Sequence, residues 1–272
     1  ASNFFQTLLD GEKKLKYKET FQLGKEGAEQ FVIFYPDSQW ILTVSHEGDG
    51  QLWDWRTKNT LIETYTFKGG TGHTKNLTSL ALSKDGKHIL TGSFDKTAKL
   101  WNTENGNLVW STDSGHTKTV TCVAFSPKEH AIEENRLFIT GSDDRTVKLW
   151  NFNGKLLNTF RDDNYLKNTH YDHKVSTLAF SPDGDRVISG WKDGDVMLWL
   201  TISKNSYKPS KRYEGHLDAI SQIKFTENGQ FILTGSEDKT AILWELNGTK
   251  RSTIPGHKGG VSTVSFVPSK DN

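Results

Sequence analysis

At 272 residues, with 34 basic side chains against 33 acidic, the chain carries a net charge of about +1. That balance excludes an overall field that would draw it onto nucleic acid or an anionic membrane, and the lack of any 18-residue apolar run argues against a helical membrane span. Length alone allows one domain or two, so the elements have to decide.

In chain order, the first elements are two strand-like runs, 4–9 and 14–21, separated by Asp10-Gly11. From about residue 40 one unit then repeats. Its clearest copy reads Leu90-Thr91-Gly92-Ser93-Phe94-Asp95-Lys96-Thr97-Ala98-Lys99-Leu100-Trp101, and altered copies end at Trp53, Trp150, Trp199 and Trp244. These tryptophans lie 48, 49, 49 and 45 residues apart, a period that signals a repeat architecture. Each unit shows a first strand of alternating character, as in Val120-Thr121-Cys122-Val123-Ala124-Phe125, then a turn such as Ser181-Pro182-Asp183-Gly184. A second strand, a tight turn, a third strand closing on Leu-Trp and a fourth such as 155–160 complete it. No segment keeps a helical period. A four-stranded sheet cannot bury both faces alone, so such units stack around an axis: the expected fold is an all-β propeller of four-stranded antiparallel blades.

Gly72-His73, Gly115-His116, Gly215-His216 and Gly256-His257 open four units, Phe-Ser-Pro turns occur in two, and Leu-Trp closes the third strand. In these features the chain resembles the WD-repeat β-propeller family over almost its whole length. Only Trp53-Asp54 keeps the eponymous dipeptide; Trp101-Asn102, Trp150-Asn151, Trp199-Leu200 and Trp244-Glu245 depart from it. The style of the repeats is similar to propellers appended to large bacterial signalling proteins, where they act as sensors or scaffolds.

The resemblance implies a hydrogen-bonded chain of His, Ser/Thr, Asp and Trp in each blade: His73, Ser93, Asp95 and Trp101; His116, Ser142, Asp144 and Trp150; His216, Ser236, Asp238 and Trp244. A buried indole, imidazole and carboxylate are each costly unless they satisfy one another. A catalytic triad is excluded by repetition, since an active site is built once. Two units depart from the pattern. Trp191 stands for the expected Ser and the preceding loop reads His170-Tyr171-Asp172-His173, while Glu47 takes the Asp position in the first unit; both networks are expected to be incomplete. The His170, Asp172 and His173 group reads as loop or cap residues rather than metal ligands, and Glu47-Gly48-Asp49-Gly50 as turn chemistry rather than a calcium loop. Cys122 falls in an apolar strand and reads as an inert core thiol, which fits a reducing compartment. No metal and no cofactor is expected.

Residues 1–272 are expected to form a single domain of six blades, the last one incomplete or assembled from 1–21 and 256–272, with seven blades as the alternative. The start at Ala1 suggests an excerpt of a longer chain.

Nothing in the motifs carries catalysis, and no Gly-x-x-x-x-Gly-Lys-Ser/Thr phosphate loop is present. The expected function is a non-catalytic, cytoplasmic interaction scaffold or sensor that binds a protein or peptide, with a structural module of a larger multidomain signalling protein as the first alternative and an enzyme using a propeller cavity as the second. Nucleic-acid and membrane partners are not expected; the densest basic run, Lys13, Lys14, Lys16 and Lys18, reads as a solvated strand face. The resemblance places the binding surface on the face carrying the second-to-third and fourth-to-first loops. It nominates His46, Phe94, Asp143, Lys192 and Glu237 before the turn acid, Asn76, Thr119 and Ala219 at the entry to the first strand, and Trp191 if it turns outward.

Overall fold

The computed structural model describes residues 2–10, 14–23, 29–36, 39–54, 60–67, 70–112, 115–128, 136–161, 173–201 and 209–266. Among these there is no helix. β1 (Ser2–Asp10) and β2 (Lys14–Leu23) pair with each other as an antiparallel hairpin. Five four-stranded antiparallel sheets follow, each with its strands hydrogen-bonded in chain order.

Blade 1 comprises β3 (Glu29–Phe34), β4 (Trp40–Ser45), β5 (Asp49–Asp54) and β6 (Thr60–Thr66); blade 2 comprises β7 (Leu77–Leu82), β8 (His88–Ser93), β9 (Ala98–Asn102) and β10 (Leu108–Ser111). Blade 3 holds β11 (Val120–Phe125), β12 (Leu137–Ser142), β13 (Val147–Asn151) and β14 (Leu156–Phe160). Blade 4 holds β15 (Val175–Phe180), β16 (Arg186–Trp191), β17 (Val196–Leu200) and β18 (Lys211–Tyr213), and blade 5 β19 (Ile220–Phe225), β20 (Phe231–Ser236), β21 (Ala241–Glu245) and β22 (Lys250–Ile254).

The core is a series of sandwiches between neighbouring blades rather than one central mass. One cluster joins Leu90, Ala98 and Leu100 of blade 2 to Val120, Phe138 and Trp150 of blade 3. Another joins Cys122, Ile139 and Leu149 of blade 3 to Val175, Trp191 and Trp199 of blade 4. Each blade thus buries one face on each neighbour, the packing that a propeller demands.

The innermost strands carry the device that sets the spacing. β7, β11, β15 and β19 each bulge at their second residue, so that residue leaves the ladder of its own sheet. The residue is Thr78, Thr121, Ser176 or Ser221, and its hydroxyl donates across to the first carbonyl of the next innermost strand: Thr78 to Val120, Thr121 to Val175 at 2.7 Å, Ser176 to Ile220 at 2.6 Å, and Ser221 to Val261. Opposite each clasp a glycine in the second strand leaves room for the incoming side chains. A Cβ on Gly141 would lie 2.6 Å from Cys122 Sγ and 2.7 Å from Val175 Cγ1, and one on Gly92 2.9 Å from Val120 Cγ1.

Residues 261–266 sit where a further innermost strand would begin. Val261 accepts the Ser221 clasp, Val264 donates its N–H to Gln222 Oε1 at 2.8 Å, and both valines cover Ala241 and Leu233 of blade 5. Among the described residues 261–266 form no ladder, and none joins them to β2. Residues 267–272 lie outside the described residues.

Candidate functional site

Alternation along β8, β12 and β20 puts a threonine and a serine on the same side of the strand, two residues apart. The structure assigns them different tasks. His73 Nδ1 bonds Asp95 Oδ2 at 2.9 Å, its Nε2 bonds Thr91 Oγ1 at 2.8 Å, and the Trp101 indole N–H donates to the same Thr91 oxygen at 2.8 Å. Blade 3 repeats this with His116, Asp144, Thr140 and Trp150, and blade 5 with His216, Asp238, Thr234 and Trp244. The bridging hydroxyl is therefore Thr91, Thr140 or Thr234. Ser93, Ser142 and Ser236 instead cap the following turn: each accepts the N–H of the acid two residues on and donates to the entry loop of the first strand. The substitution of threonine for serine as the bridging group corrects the sequence reading. The serine is one pleat too far toward the turn to reach the indole.

These acids are saturated. Asp95 Oδ2 accepts from Thr74 N–H as well as from His73, and Oδ1 accepts from the N–H and hydroxyl of Thr97. Burial alone would raise the carboxyl pKa, but the hydrogen bonds outweigh it and hold Asp95 well below the usual carboxylate range. The same balance leaves Asp144 and Asp238 at about 2. For His216 burial wins, and its pKa is lowered despite Asp238. Cys122, buried within its strand, is pushed up to about 12, which keeps it a protonated thiol.

Of the two irregular blades, blade 4 is more complete than its sequence suggests. In blade 4, His173 fills the histidine position without a preceding glycine, with Nδ1 2.6 Å from Asp193 Oδ2, and the Trp199 indole donates to Ser189 at 2.9 Å. Trp191 is fully buried, its indole N–H on the same Ser189 oxygen at 3.0 Å. This corrects its nomination as a surface contact: the large ring fills the blade 3–blade 4 sandwich instead of facing solvent. In blade 1 the Trp53 indole donates to Thr43 at 3.2 Å. His170, Tyr171, Asp172 and Lys13 lie outside the described residues. Among the described residues no group of three His, Cys, Asp or Glu side chains could hold a metal.

The nominated surface residues fall on one face, and the turns bring part of them together. Asn76, Phe94, Thr119 and Asp143 line a single open depression of about 830 Å³ between blades 2 and 3. It forms because the turn before each acid folds beside the entry to its own first strand: Phe94 N–H donates to Asn76 C=O at 3.1 Å and Asp143 N–H to Thr119 C=O at 3.0 Å. Phe94 is 46% exposed and meets the His46 ring edge-on, centroids 6.1 Å apart. Asp143 Oδ1 is buried with no hydrogen-bond partner, as is His46 Nδ1. Lys192, Ala219 and Glu237 hold the equivalent positions in blades 4 and 5, outside this depression.

Three lysines that the sequence reading did not nominate, Lys75, Lys96 and Lys118, complete the walls. Their signal was present: each is one position from a nominated residue or from the turn acid. Leu217, 90% exposed on the loop after His216, is an exposed apolar residue that the sequence reading also did not nominate.

Repeated four-stranded blades packed face to face, four of them holding a His–Asp pair beside the anchoring tryptophan, define a propeller-type protein. The comparisons agree. The WD domain, G-beta repeat family matches residues 62–102 and 107–151, and the Vps8 beta-propeller family matches 141–259. Pre-mRNA-processing factor 19 homolog 2 of Arabidopsis thaliana is 32% identical over 202 residues, 73% of this chain and 35% of that protein. Guanine nucleotide-binding protein subunit beta-2 of Nicotiana tabacum is 31% identical over 237 residues, 85% and 59% of the two chains. The periodic tryptophan protein 2 homolog of Dictyostelium discoideum is 29% identical over 200 residues; the chain covers 72% of itself but only 20% of that relative. The chain belongs to the WD-repeat β-propeller family.

Proposed function

We propose that this chain is a non-catalytic interaction platform that holds a protein or peptide partner on the face of the second-to-third strand turns, with the depression between blades 2 and 3 as its anchor point. The observation that carries this is Phe94. It is a large aromatic, nearly half exposed, standing in a turn at the mouth of a depression whose other walls are polar. An exposed aromatic over a concave, rigidly framed surface is the usual form of a binding hot spot.

The non-catalytic part of the reading is supported by how the reactive-looking residues are used. In three blades both histidine ring nitrogens are engaged and the carboxylates are saturated by local donors, which makes these groups parts of the frame. The wider WD-repeat family is built as interaction scaffolds. Partner identity, and any sensor role within a longer protein, follow from what the platform holds.

The test is Phe94→Ala. Partner affinity should fall about 30-fold or more, the loss expected of an interface hot spot, while the melting temperature stays within about 2 °C of the parent because the ring is on the surface. Unchanged affinity would remove the depression from the interface.

A further inference from the structure

The depression differs from the rest of the surface in how its charges are matched. At the opposite end of the blades cations are paired across or within blades: Arg136 with Asp85, Lys128 with Asp185, Arg186 with Asp183 and Arg251 with Glu245. Lys75, Lys96 and Lys118 are all exposed and form no ion pair among the described residues. The turn acids of blades 2 and 3 are already committed, Asp95 to His73, Thr74 and Thr97, and Asp144 to His116, Thr117 and Thr146. A chain that is almost neutral overall thus sets three ammonium groups against one carboxylate, Asp143, around one exposed phenylalanine.

Asp143 decides which class of anionic partner suits that wall. Its Oδ1 is buried without a partner, and an orphaned buried acceptor is satisfied by an N–H donor. A peptide backbone offers such donors at every residue. A phosphodiester backbone offers none.

We infer that the occupant of this depression is an acidic peptide segment with an apolar side chain at its centre: the apolar group lies on Phe94, a backbone N–H reaches Asp143, and the flanking carboxylates meet Lys75, Lys96 and Lys118. The inference rests on the docking reading above and narrows it to one partner chemistry. Charge complementarity of this kind sets which partner is accepted and how fast it arrives, and it is screened by salt.

The experiment is fluorescence anisotropy on the whole chain with three short labelled peptides that share a central leucine and differ only in flanking glutamates, glutamines or lysines, alongside a single-stranded RNA oligonucleotide. The glutamate peptide should bind at least about tenfold tighter than the lysine peptide, weaken as salt rises, and lose its advantage in the triple variant Lys75→Glu, Lys96→Glu, Lys118→Glu, whose melting temperature is measured in parallel. Equal or tighter binding of the glutamine or lysine peptide overturns the inference, as does failure of all three to bind, or tighter binding of the RNA at the same lysines. If the lysine or glutamine peptide binds and Phe94→Ala abolishes that binding, only the partner chemistry is wrong. If peptide binding is indifferent to Phe94→Ala, the docking reading falls as well.

Discussion

Thr140 shows what holds a blade together. The Asp144 carboxylate, with its pKa at about 2, can only accept, so His116 donates from Nδ1 and its Nε2 accepts the Thr140 hydroxyl proton, while the Thr140 oxygen accepts from the Trp150 indole. Thr140→Val keeps the shape and orphans both the imidazole and the indole; chemical denaturation should show a loss of about 2–4 kcal/mol. The same staple makes stability pH-dependent. Burial lowers the His216 pKa, so the unfolded chain takes up a proton near 6.5 that the folded chain refuses, and stability present above that pH falls as pH drops below it. A second loss follows as pH falls from the ordinary carboxylate range toward about 2, where Asp144 and Asp238 protonate. Urea melts at about pH 7.5 and about pH 5 should show the first decline, and His216→Gln should flatten it. The members of the staple were legible in the sequence as recurring letters. Which hydroxyl bridges was not, because Thr140 and Ser142 share a face and only the register of β12 on β13 shows which one is level with the indole.

At the scale of the element, the recurrent Thr-Gly-Ser of the second strand was readable as a repeat, but the reason for its glycine lies in the neighbouring blade. Gly141 is where Val175 and Leu178 of blade 4 enter, and Gly141→Ala should cost about 1–3 kcal/mol by overpacking, seen as a lowered melting temperature. Blade 1 lacks the device at both points: Gln30 stands at the bulged hydroxyl position and buried Val44 at the glycine position. A different constraint acts in the tight turns. The residue after the turn acid is left-handed in every blade; Gly48 and Gly194 take this freely, whereas Lys96, Arg145 and Lys239 hold it at φ of 75°, 71° and 72°. Lys239→Gly should therefore stabilise the chain by up to about 1 kcal/mol, measured by the same denaturation. The burial of Trp191 was not legible either, since a bulky aromatic before a turn reads equally as an anchor for a partner or as a filler between blades.

On the whole-molecule scale, the propeller was legible because its signal is redundant: five tryptophan anchors report one architecture, and loss of a motif in one blade leaves the others to speak. The proposed docking face was legible only in part, since spacing identifies which turns share a face but not that blades 2 and 3 open a depression there or that lysines without an ion pair among the described residues rim it. How the ring closes is a separate question with its own measurement. A closing blade shared by both ends predicts that amides in 14–23 and 261–266 exchange slowly and together, and free exchange in both segments excludes it. Docking of the partner on the face around Phe94 can be read out by site-specific photo-crosslinking. A photoreactive phenylalanine analogue at Phe94 is compared with the same group at Leu157, which is similarly exposed but on the outermost strand. A discrete adduct with the partner is expected from position 94 and none from position 157; an adduct from 157 with none from 94 would put the partner elsewhere.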